Sequence, residues 1–314
     1  MEMAISIHDL RKEYDTGVLA LAGVSLRVHQ GEIFGLIGPD GAGKTTLIRI
    51  LATLLLPSWG KVEVLGVDPV KQYREIRRRI GYMPGRFSLY QDLSIEENMK
   101  FFATTYGTTL RKGYDTIKEV YQQIEPFKDR RAGDLSGGMK QKLALCAALI
   151  QSPELLILDE PTTGVDPVSR REFWDIIQHL NQQGMTIFVS TPYMDEAARC
   201  HRIAMLDQGN MLGVDTPDGI EGAFGRNLYA ISGGSNYPVL KALQAYPHTL
   251  SVFPFGTSLH YTDQRPDDQS IPVSAYLQEA GFPDIQVSLI EAGIEDVFMA
   301  RMQPQTSITD ENDS

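Results

Sequence analysis

Gly38-Pro39-Asp40-Gly41-Ala42-Gly43-Lys44-Thr45 decides the fold, because this stretch fits the pattern G-x-x-x-x-G-K-[ST] of a phosphate-binding loop. Glycines in such a loop let successive backbone N–H groups point into one concavity, and the helix that follows adds the positive end of its dipole. We expect this loop, together with Thr46, to hold the phosphates of a nucleoside triphosphate. The Lys44 ammonium is predicted to reach the β- and γ-phosphates, and the Thr45 hydroxyl is predicted to coordinate Mg²⁺.

The residues around the loop place it between a strand and a helix. Residues 33–37 form a continuous apolar run, typical of a buried parallel strand, and residues 45–55 have helical spacing. A later apolar run, residues 155–158, ends in Asp159 and Glu160. A strand of this kind brings its terminal carboxylates to the edge of the sheet where the phosphate loop lies. Asp159 is predicted to hold Mg²⁺, directly or through water, and Glu160 is the candidate general base for an attacking water.

The rest of the chain predicts an α/β protein with a smaller appendage. Strands alternate with helices up to about residue 206, which indicates βαβ units around a parallel sheet. The pattern changes after residue 224 to short strands and two or three helices. We therefore predict a nucleotide-binding domain over residues 1–223 with a helical subdomain at about 86–150, a small α+β domain over 224–302, and a disordered tail or linker over 303–314.

Composition excludes several classes of protein. The chain has 314 residues, 29 Lys and Arg against 40 Asp and Glu, and a formal net charge of −11. This acidity argues against broad nucleic-acid binding, and two cysteines do not build a disulfide framework. No apolar run approaches the roughly 20 residues that span a bilayer. The cysteine count indicates a reducing compartment, and if the protein serves a membrane, it does so through a partner.

A third motif connects the sequence to a known family. Leu135-Ser136-Gly137-Gly138-Met139-Lys140-Gln141-Lys142 resembles the signature motif of ABC-type ATPases, and the resemblance extends over roughly residues 1–220. It implies a P-loop NTPase fold of ABC type. It also implies that an aromatic ring, here Tyr14, stacks on adenine, and that Asp166 belongs to the loop where two such domains touch. Residues 294–298 are similar to the closing motif of ATPase subunits that serve ABC-2-type exporters, which handle drugs and other small molecules.

The resemblance also implies a mechanism and its partners. Two ABC domains close head to tail around two ATP molecules, and the signature loop of one completes the site of the other. Ser136, Gly137 and Gly138 open a helix, so their hydroxyl and amide groups form an anion-binding end suited to the partner's γ-phosphate. The implied partners are a second ABC ATPase domain and integral-membrane transporter subunits, with no nucleic acid.

Two positions depart from the family pattern. Gly85 stands where the family has a glutamine near Mg²⁺ and the attacking water, and Pro192 stands where it has a histidine that contacts the γ-phosphate. Met139 replaces a glutamine in the signature, a milder change. We therefore expect a degenerate site that binds ATP and hydrolyses it slowly, with a competent site completed on a heterodimeric partner or on a second domain of a longer chain.

Three alternatives stay open at this stage. The first is a working homodimer in which other residues compensate for Gly85 and Pro192. The second is an ABC ATPase that acts on ribosomes or DNA, although the sequence has no long basic insertion. The third is a regulatory module that binds ATP without driving turnover.

Overall fold

The computed structural model describes residues 2–265 and 272–302. The chain divides into two compact units, Met1–Pro217 and Asp218–Ser314. This division falls a few residues before the predicted boundary at residue 223. The predicted tail, residues 303–314, lies outside the described residues.

The first unit contains two sheets. Their strands are β1 (Met3–Glu13), β2 (Leu19–His29), β3 (Ile33–Ile37), β4 (Trp59–Val64), β5 (Ile80–Met83), β6 (Leu155–Asp159), β7 (Thr186–Ser190), β8 (Arg202–Asp207) and β9 (Asn210–Asp215). The six-stranded sheet has the order β5-β6-β7-β3-β8-β9, parallel except for β9 at one edge. The three-stranded sheet, β2-β1-β4, is antiparallel. This arrangement confirms the predicted α/β class.

Helices fill the connections between these strands. They are α1 (Lys44–Leu51), α2 (Tyr73–Arg79), α3 (Ile95–Thr105), α4 (Leu110–Tyr121), α5 (Gly137–Leu149), α6 (Pro167–Gln182) and α7 (Met194–Ala197). Helices α3, α4 and α5 fall within the predicted helical subdomain. Ser94 and Glu97 form a reciprocal capping box that fixes the start of α3.

The core of the first unit lies between the two sheets and α1. Buried residues of β1, β2, α1 and β4 pack with Phe34, Leu155 and Phe188 of the parallel strands. All five residues of β3, β6 and β7 are buried, as a parallel strand covered on both faces requires. The carboxyl ends of these three strands therefore meet at one edge of the sheet.

One predicted helix is too long. The sequence predicts a helix over residues 45–55, whereas α1 ends at Leu51. Thr53 adopts a left-handed backbone with φ 61°, and the Leu54 and Leu55 amides both donate to the Arg49 carbonyl. These bonds close the helix early, so Leu54 and Leu55 belong to the turn that leads to β4.

The second unit has the topology of a ferredoxin-like fold. Its elements are α8 (Pro217–Gly222), β10 (Leu228–Ser232), α9 (Asn236–Ala245), β11 (Thr249–Phe255), β12 (Ser258–Asp263), α10 (Pro272–Glu279), β13 (Gln286–Ile290) and α11 (Ile294–Met302). The antiparallel sheet has the order β11-β12-β10-β13, and α9 and α10 supply its apolar core. Across the described ranges, no helix is both long and apolar enough to cross a membrane.

Candidate nucleotide site

The loop between β3 and α1 has room for glycine alone at two positions. Gly43 has φ +108°, and a Cβ added there would lie 2.4 Å from the Ala20 carbonyl oxygen. A Cβ added at Gly38 would lie 2.2 Å from the Leu206 carbonyl oxygen. The backbone therefore passes too close to its neighbours for any side chain, and the loop is fixed in the shape that exposes its amides at the start of α1.

Lys44 is the buried cation of this loop. Its side chain is 4% exposed, and its ammonium donates to the carbonyl oxygens of Gly38 at 2.7 Å and Pro39 at 3.1 Å. The same nitrogen lies 3.1 Å from Glu160 Oε1. Because the ammonium has a carboxylate partner, its charge is neutralised inside the loop.

Asp159 ends β6 directly beside the loop. Its Oδ1 accepts hydrogen bonds from Thr45 Oγ1 at 3.2 Å and from Ser190 Oγ at 2.9 Å. Burial raises the pKa of this carboxyl above its ordinary value, and the two hydroxyl donors partly oppose that rise. A hydroxyl and a carboxylate oxygen side by side are hard ligands of the kind Mg²⁺ uses together with substrate phosphates, so Thr45 and Asp159 fit the predicted metal role.

Asp159→Asn is expected to stabilise the metal-free chain at neutral pH. Asparagine keeps an oxygen for Thr45 and Ser190 and removes a buried charge. Because the folded pKa is raised, the folded state binds the proton more tightly than the unfolded state, so stability falls as pH rises above 3.8. We measure urea unfolding of Asp159→Asn and of the wild type without Mg²⁺. The midpoint of the variant should exceed that of the wild type by a small amount near pH 4 and by the largest amount at pH 7 and above.

Asp166→Asn provides the control of opposite sign. Asp166 accepts from the Ser169 and Val168 amides at the start of α6, and these bonds lower its pKa. Its replacement should therefore lower the midpoint slightly at neutral pH. A gain at Asp159→Asn that does not change with pH would contradict the burial argument.

Glu160 is held in a left-handed backbone conformation. Its φ is 49°, and its amide donates to both the side-chain and main-chain oxygens of Ser190 at 3.0 and 3.1 Å. A non-glycine residue in this region is strained, and such strain persists where neighbouring contacts enforce it. Here Ser190 and Lys44 enforce it, and they direct the Glu160 carboxylate to the phosphate loop.

Tyr14 lies beside the loop on its other flank. Its hydroxyl is 3.1 Å from Thr46 Oγ1, and the Lys12 ammonium lies 5.4 Å from the centre of its ring. The structure thus brings Tyr14 and Thr46 together with the Lys44, Thr45, Asp159 and Glu160 cluster. Asp40 and Gly41 are exposed on the loop and Ala42 is buried in it.

The signature residues lie apart from this cluster. Ser136 caps α5 through the Met139 amide at 3.3 Å, and a Cβ added at Gly138 would meet Ser169 Oγ of α6 at 2.6 Å. Within residues 2–265 and 272–302, no hydrogen bond or ion pair joins Ser136, Gly137, Gly138 or Asp166 to the phosphate loop.

Gly85 approaches the end of β6 more closely than a side chain permits. A Cβ added there would lie 2.9 Å from the Asp159 carbonyl oxygen and 3.9 Å from Glu160 Cβ. Pro192 follows Thr191 in the bend after β7 and has neither a polar side-chain group nor a backbone N–H. Neither position thus offers a polar side-chain group, and Gly85 lies directly beside Asp159 and Glu160.

Gly85→Ala is expected to destabilise the first unit by about 1–3 kcal/mol, because the methyl group has to displace the main chain of Asp159. Gly137→Ala is a matched control, since the nearest atom to a Cβ there is the Gly164 carbonyl oxygen at 3.9 Å. Both tryptophans, Trp59 and Trp174, lie in the first unit, so urea unfolding followed by fluorescence reports on this unit. Equal midpoints for the two variants would contradict the close approach.

A buried network next to the site was not predicted. The Glu196 carboxylate is 2% exposed and accepts from the Thr162 hydroxyl at 2.7 Å, the Thr191 hydroxyl, and Arg170 Nε at 3.1 Å. It links the loop after β6, helix α6 and the bend that contains Pro192. Ser190 was likewise missed, although a hydroxyl at the end of β7 pairs directly with Asp159 in the parallel register.

Comparison with known proteins decides the family. Residues 21–163 match the ABC transporter family. The Nod factor export ATP-binding protein I of Rhizobium sp. (strain N33) is 36% identical over 255 residues, which cover 80% of this chain and 84% of that protein. The chain belongs to the ATP-binding proteins of the ABC transporter family. This membership agrees with the phosphate loop, the signature octet and the Asp159–Glu160 pair.

Other relatives of this ABC protein extend the comparison. A probable multidrug ABC transporter ATP-binding protein, YbhF of Escherichia coli (strain K12), is 44% identical over 62% of this chain, and the match spans 34% of the length of YbhF. The solved ABC cassette MJ0796, a dimer in a post-hydrolysis state with ADP and Pi, is 26% identical, with a TM-score of 0.62 over 68% of this chain and 98% of that one. The ABC-type α/β fold is therefore shown by sequence and by structure.

Proposed function

We propose that this chain is the ATP-binding subunit, or half-subunit, of an ABC exporter of the ABC-2 type that moves drugs or other small molecules. The observation that carries the proposal is the cluster of Lys44, Thr45, Asp159 and Glu160 at the phosphate loop. The relatives named for multidrug and Nod factor export support an export role. The sequence of residues 294–298 supports the ABC-2 class.

The proposed action begins with phosphate binding at the loop. The loop amides and Lys44 bind the phosphates of ATP, Tyr14 stacks on the adenine, and Thr45 and Asp159 hold Mg²⁺, which neutralises phosphate charge. The signature residues of a second ABC domain then bind the γ-phosphate from the other side. Binding between the two domains closes the dimer, and hydrolysis lets it open.

The chain's own site is proposed to hydrolyse ATP slowly. Loss of one positioned transition-state contact commonly costs about 10²–10³ in rate, and this site lacks two such groups at Gly85 and Pro192. Nucleotide binding should suffer less, because the residues that face the phosphates are all present. The carboxylate of Glu160 remains as the candidate base, held by Lys44 and Ser190.

An asymmetric pair of sites follows from this proposal. The Ser136, Gly137 and Gly138 loop is intact, so the chain can complete a competent site on a different ABC domain. The match to one third of YbhF is compatible with a second ATPase domain in a longer chain. A separate ABC subunit in a heterodimer could provide the competent site in the same way. A homodimer requires other residues to replace the missing polar groups.

Isolation of the tagged full chain from detergent-solubilised membranes of its own cells tests the exporter assignment. We expect a polytopic membrane protein in stoichiometric amount with ATP and Mg²⁺ present. Recovery of ribosomal RNA or DNA instead, with no membrane protein, would favour the ABC ATPase that acts on nucleic acid. ATP binding that changes no partner's turnover would favour the regulatory module.

A further inference from the structure

Strand β13 leaves one edge of the second unit's sheet unpaired. It bonds to β10 on one side, and within the described residues it has no strand on the other. Its sequence, Gln286-Val287-Ser288-Leu289-Ile290, contains no proline and no charged residue, and Leu289 is 62% exposed. An unpaired row of N–H and C=O groups with an apolar side chain is a template for another strand.

The opposite edge of the same sheet is protected. Strand β11 contains Pro254, and its pairing with β12 has a register shift between Thr249 and Ser251. Proline and bulges are devices that prevent edge pairing in folded proteins. The contrast indicates that β13 is the edge available for a partner.

A cavity of the same unit lies beside β13. It is lined by α8, the segment that follows it, and the end of β13. Its apolar walls come from Phe224, Leu289, Ile290 and Ala292. A strand added to β13 directs alternate side chains to one face, so an apolar side chain of that strand has a place to enter.

The charge around this cavity is acidic. The cavity includes the carboxylates of Asp218, Glu221 and Glu291 against one cation, Arg226. None of these three carboxylates has an ion-pair partner among the described residues. Such a rim attracts a basic partner and disfavours a second copy of a chain with a net charge of −11.

We propose that β13 and the adjoining cavity bind an extended basic segment on the cytoplasmic side of the membrane subunit, by addition of a strand to the sheet. This rests on the proposed function, because it takes the partner to be a membrane protein. Cytoplasmic segments of membrane proteins carry an excess of Lys and Arg, which matches the acidic rim. The second unit thus recognises the transporter through backbone pairing, an apolar anchor and charge.

The test uses the full chain and three fluorescein-labelled peptides in anisotropy titrations. The probe K-V-K-L-K-V-K alternates basic and apolar residues, E-V-E-L-E-V-E reverses the charge, and K-V-K-P-K-V-K removes a backbone donor. We expect the first to bind at least 10-fold more tightly than either other peptide, and its binding to weaken with salt. Equal binding of all three peptides, or no binding of the first, would overturn the proposal.

Variants of exposed residues locate the site. Leu289→Lys and Glu291→Lys should each weaken binding of the basic peptide about 10-fold, whereas Glu63→Lys, an exposed acid on β4, should leave it unchanged. If Glu63→Lys weakens binding of the basic peptide as much as Leu289→Lys and Glu291→Lys do, the peptide does not bind at β13. A chain dimer in sedimentation that Leu289→Lys dissociates would identify a second copy as the occupant and overturn the basic segment.

A parallel titration with a fluorescent ATP analogue separates this proposal from the proposed function. If the chain binds nucleotide and not the peptide, the docking site is wrong and the ATPase role stands. If the chain binds the peptide and not the nucleotide, the strand-addition site stands and the proposed ATP-binding role is wrong.

Discussion

Lys44→Met is expected to weaken ATP binding by about 100-fold. The Lys44 ammonium is buried in the loop, 2.7 Å from the Gly38 carbonyl oxygen, at the place where the phosphates are proposed to bind. A hydrogen bond to a charged group contributes about 1.5–3 kcal/mol, and loss of such a contact lowers affinity by roughly 10- to 150-fold. Methionine has similar length and keeps the apolar packing of the side chain. The measurement is a titration with a fluorescent ATP analogue in the presence of Mg²⁺.

The control for this prediction is Lys61→Met. Lys61 is exposed on β4, so its loss changes the net charge equally without touching the loop. If both variants bind ATP as the wild type does, Lys44 does not contact phosphate. If both lose affinity equally, the effect comes from overall charge.

Pro192→His is expected to raise ATP hydrolysis about 10- to 100-fold over a slow wild type. The residue follows Thr191, whose backbone amide donates to the Leu36 carbonyl at the end of β3, so position 192 lies next to the proposed phosphate site. An imidazole there supplies a polar contact to the γ-phosphate, and one such contact is worth about 10²–10³ in rate. Phosphate release at saturating ATP and high protein concentration measures the change, with the affinity for ATP expected to stay constant.

Pro192→Ala is the matched control, because it removes the ring and adds no polar group. If Pro192→Ala hydrolyses ATP as fast as Pro192→His, the acceleration comes from a change in the backbone bend after β7 and not from the imidazole. Brisk hydrolysis by the wild type would contradict the degenerate site and favour a self-sufficient homodimer.

Adding Gly85→Gln to Pro192→His tests the second missing group. The structure predicts a cost for this change, since the Cβ meets the Asp159 carbonyl oxygen at 2.9 Å. We expect the double variant to be less stable than Pro192→His. Its hydrolysis exceeds that of the single variant if the loop after β5 moves away from β6.

The sequence predicts the central parallel strands well, because buried strands are continuous apolar runs. Residues 33–37 and 186–190 are central strands with the predicted bounds, and residues 80–83 form the edge strand β5 with the predicted bounds. Strand β9 was missed because Asn210–Asp215 is a half-exposed antiparallel edge that includes Gly213, so neither an apolar run nor a clean alternation marks it. The pairing order of the second unit's sheet depends on contacts between strands far apart in sequence, which no local pattern encodes.

The motifs predict which residues gather at the phosphate loop, and they do not predict the geometry. The left-handed backbone of Glu160 depends on Ser190, which belongs to a strand 30 residues later. The close approach of Gly85 to the Asp159 carbonyl depends on the parallel pairing of β5 with β6, which brings their ends together. Both features arise from tertiary packing, so the sequence names Glu160 and Gly85 without indicating why each is constrained.

Because Lys44 is already paired with Glu160, nucleotide binding at the loop requires the phosphate to replace a carboxylate at the Lys44 ammonium. An anion that arrives at the loop does not meet a bare positive charge; it exchanges with a carboxylate that already lies 3.1 Å away. The contribution of Lys44 to nucleotide affinity is therefore the difference between its contact with phosphate and its contact with Glu160, which competes with the phosphate for the same ammonium. Substitution of Glu160 by a neutral residue then alters nucleotide affinity even where no ATP is hydrolysed, and a gain in binding there is not by itself a sign of blocked chemistry.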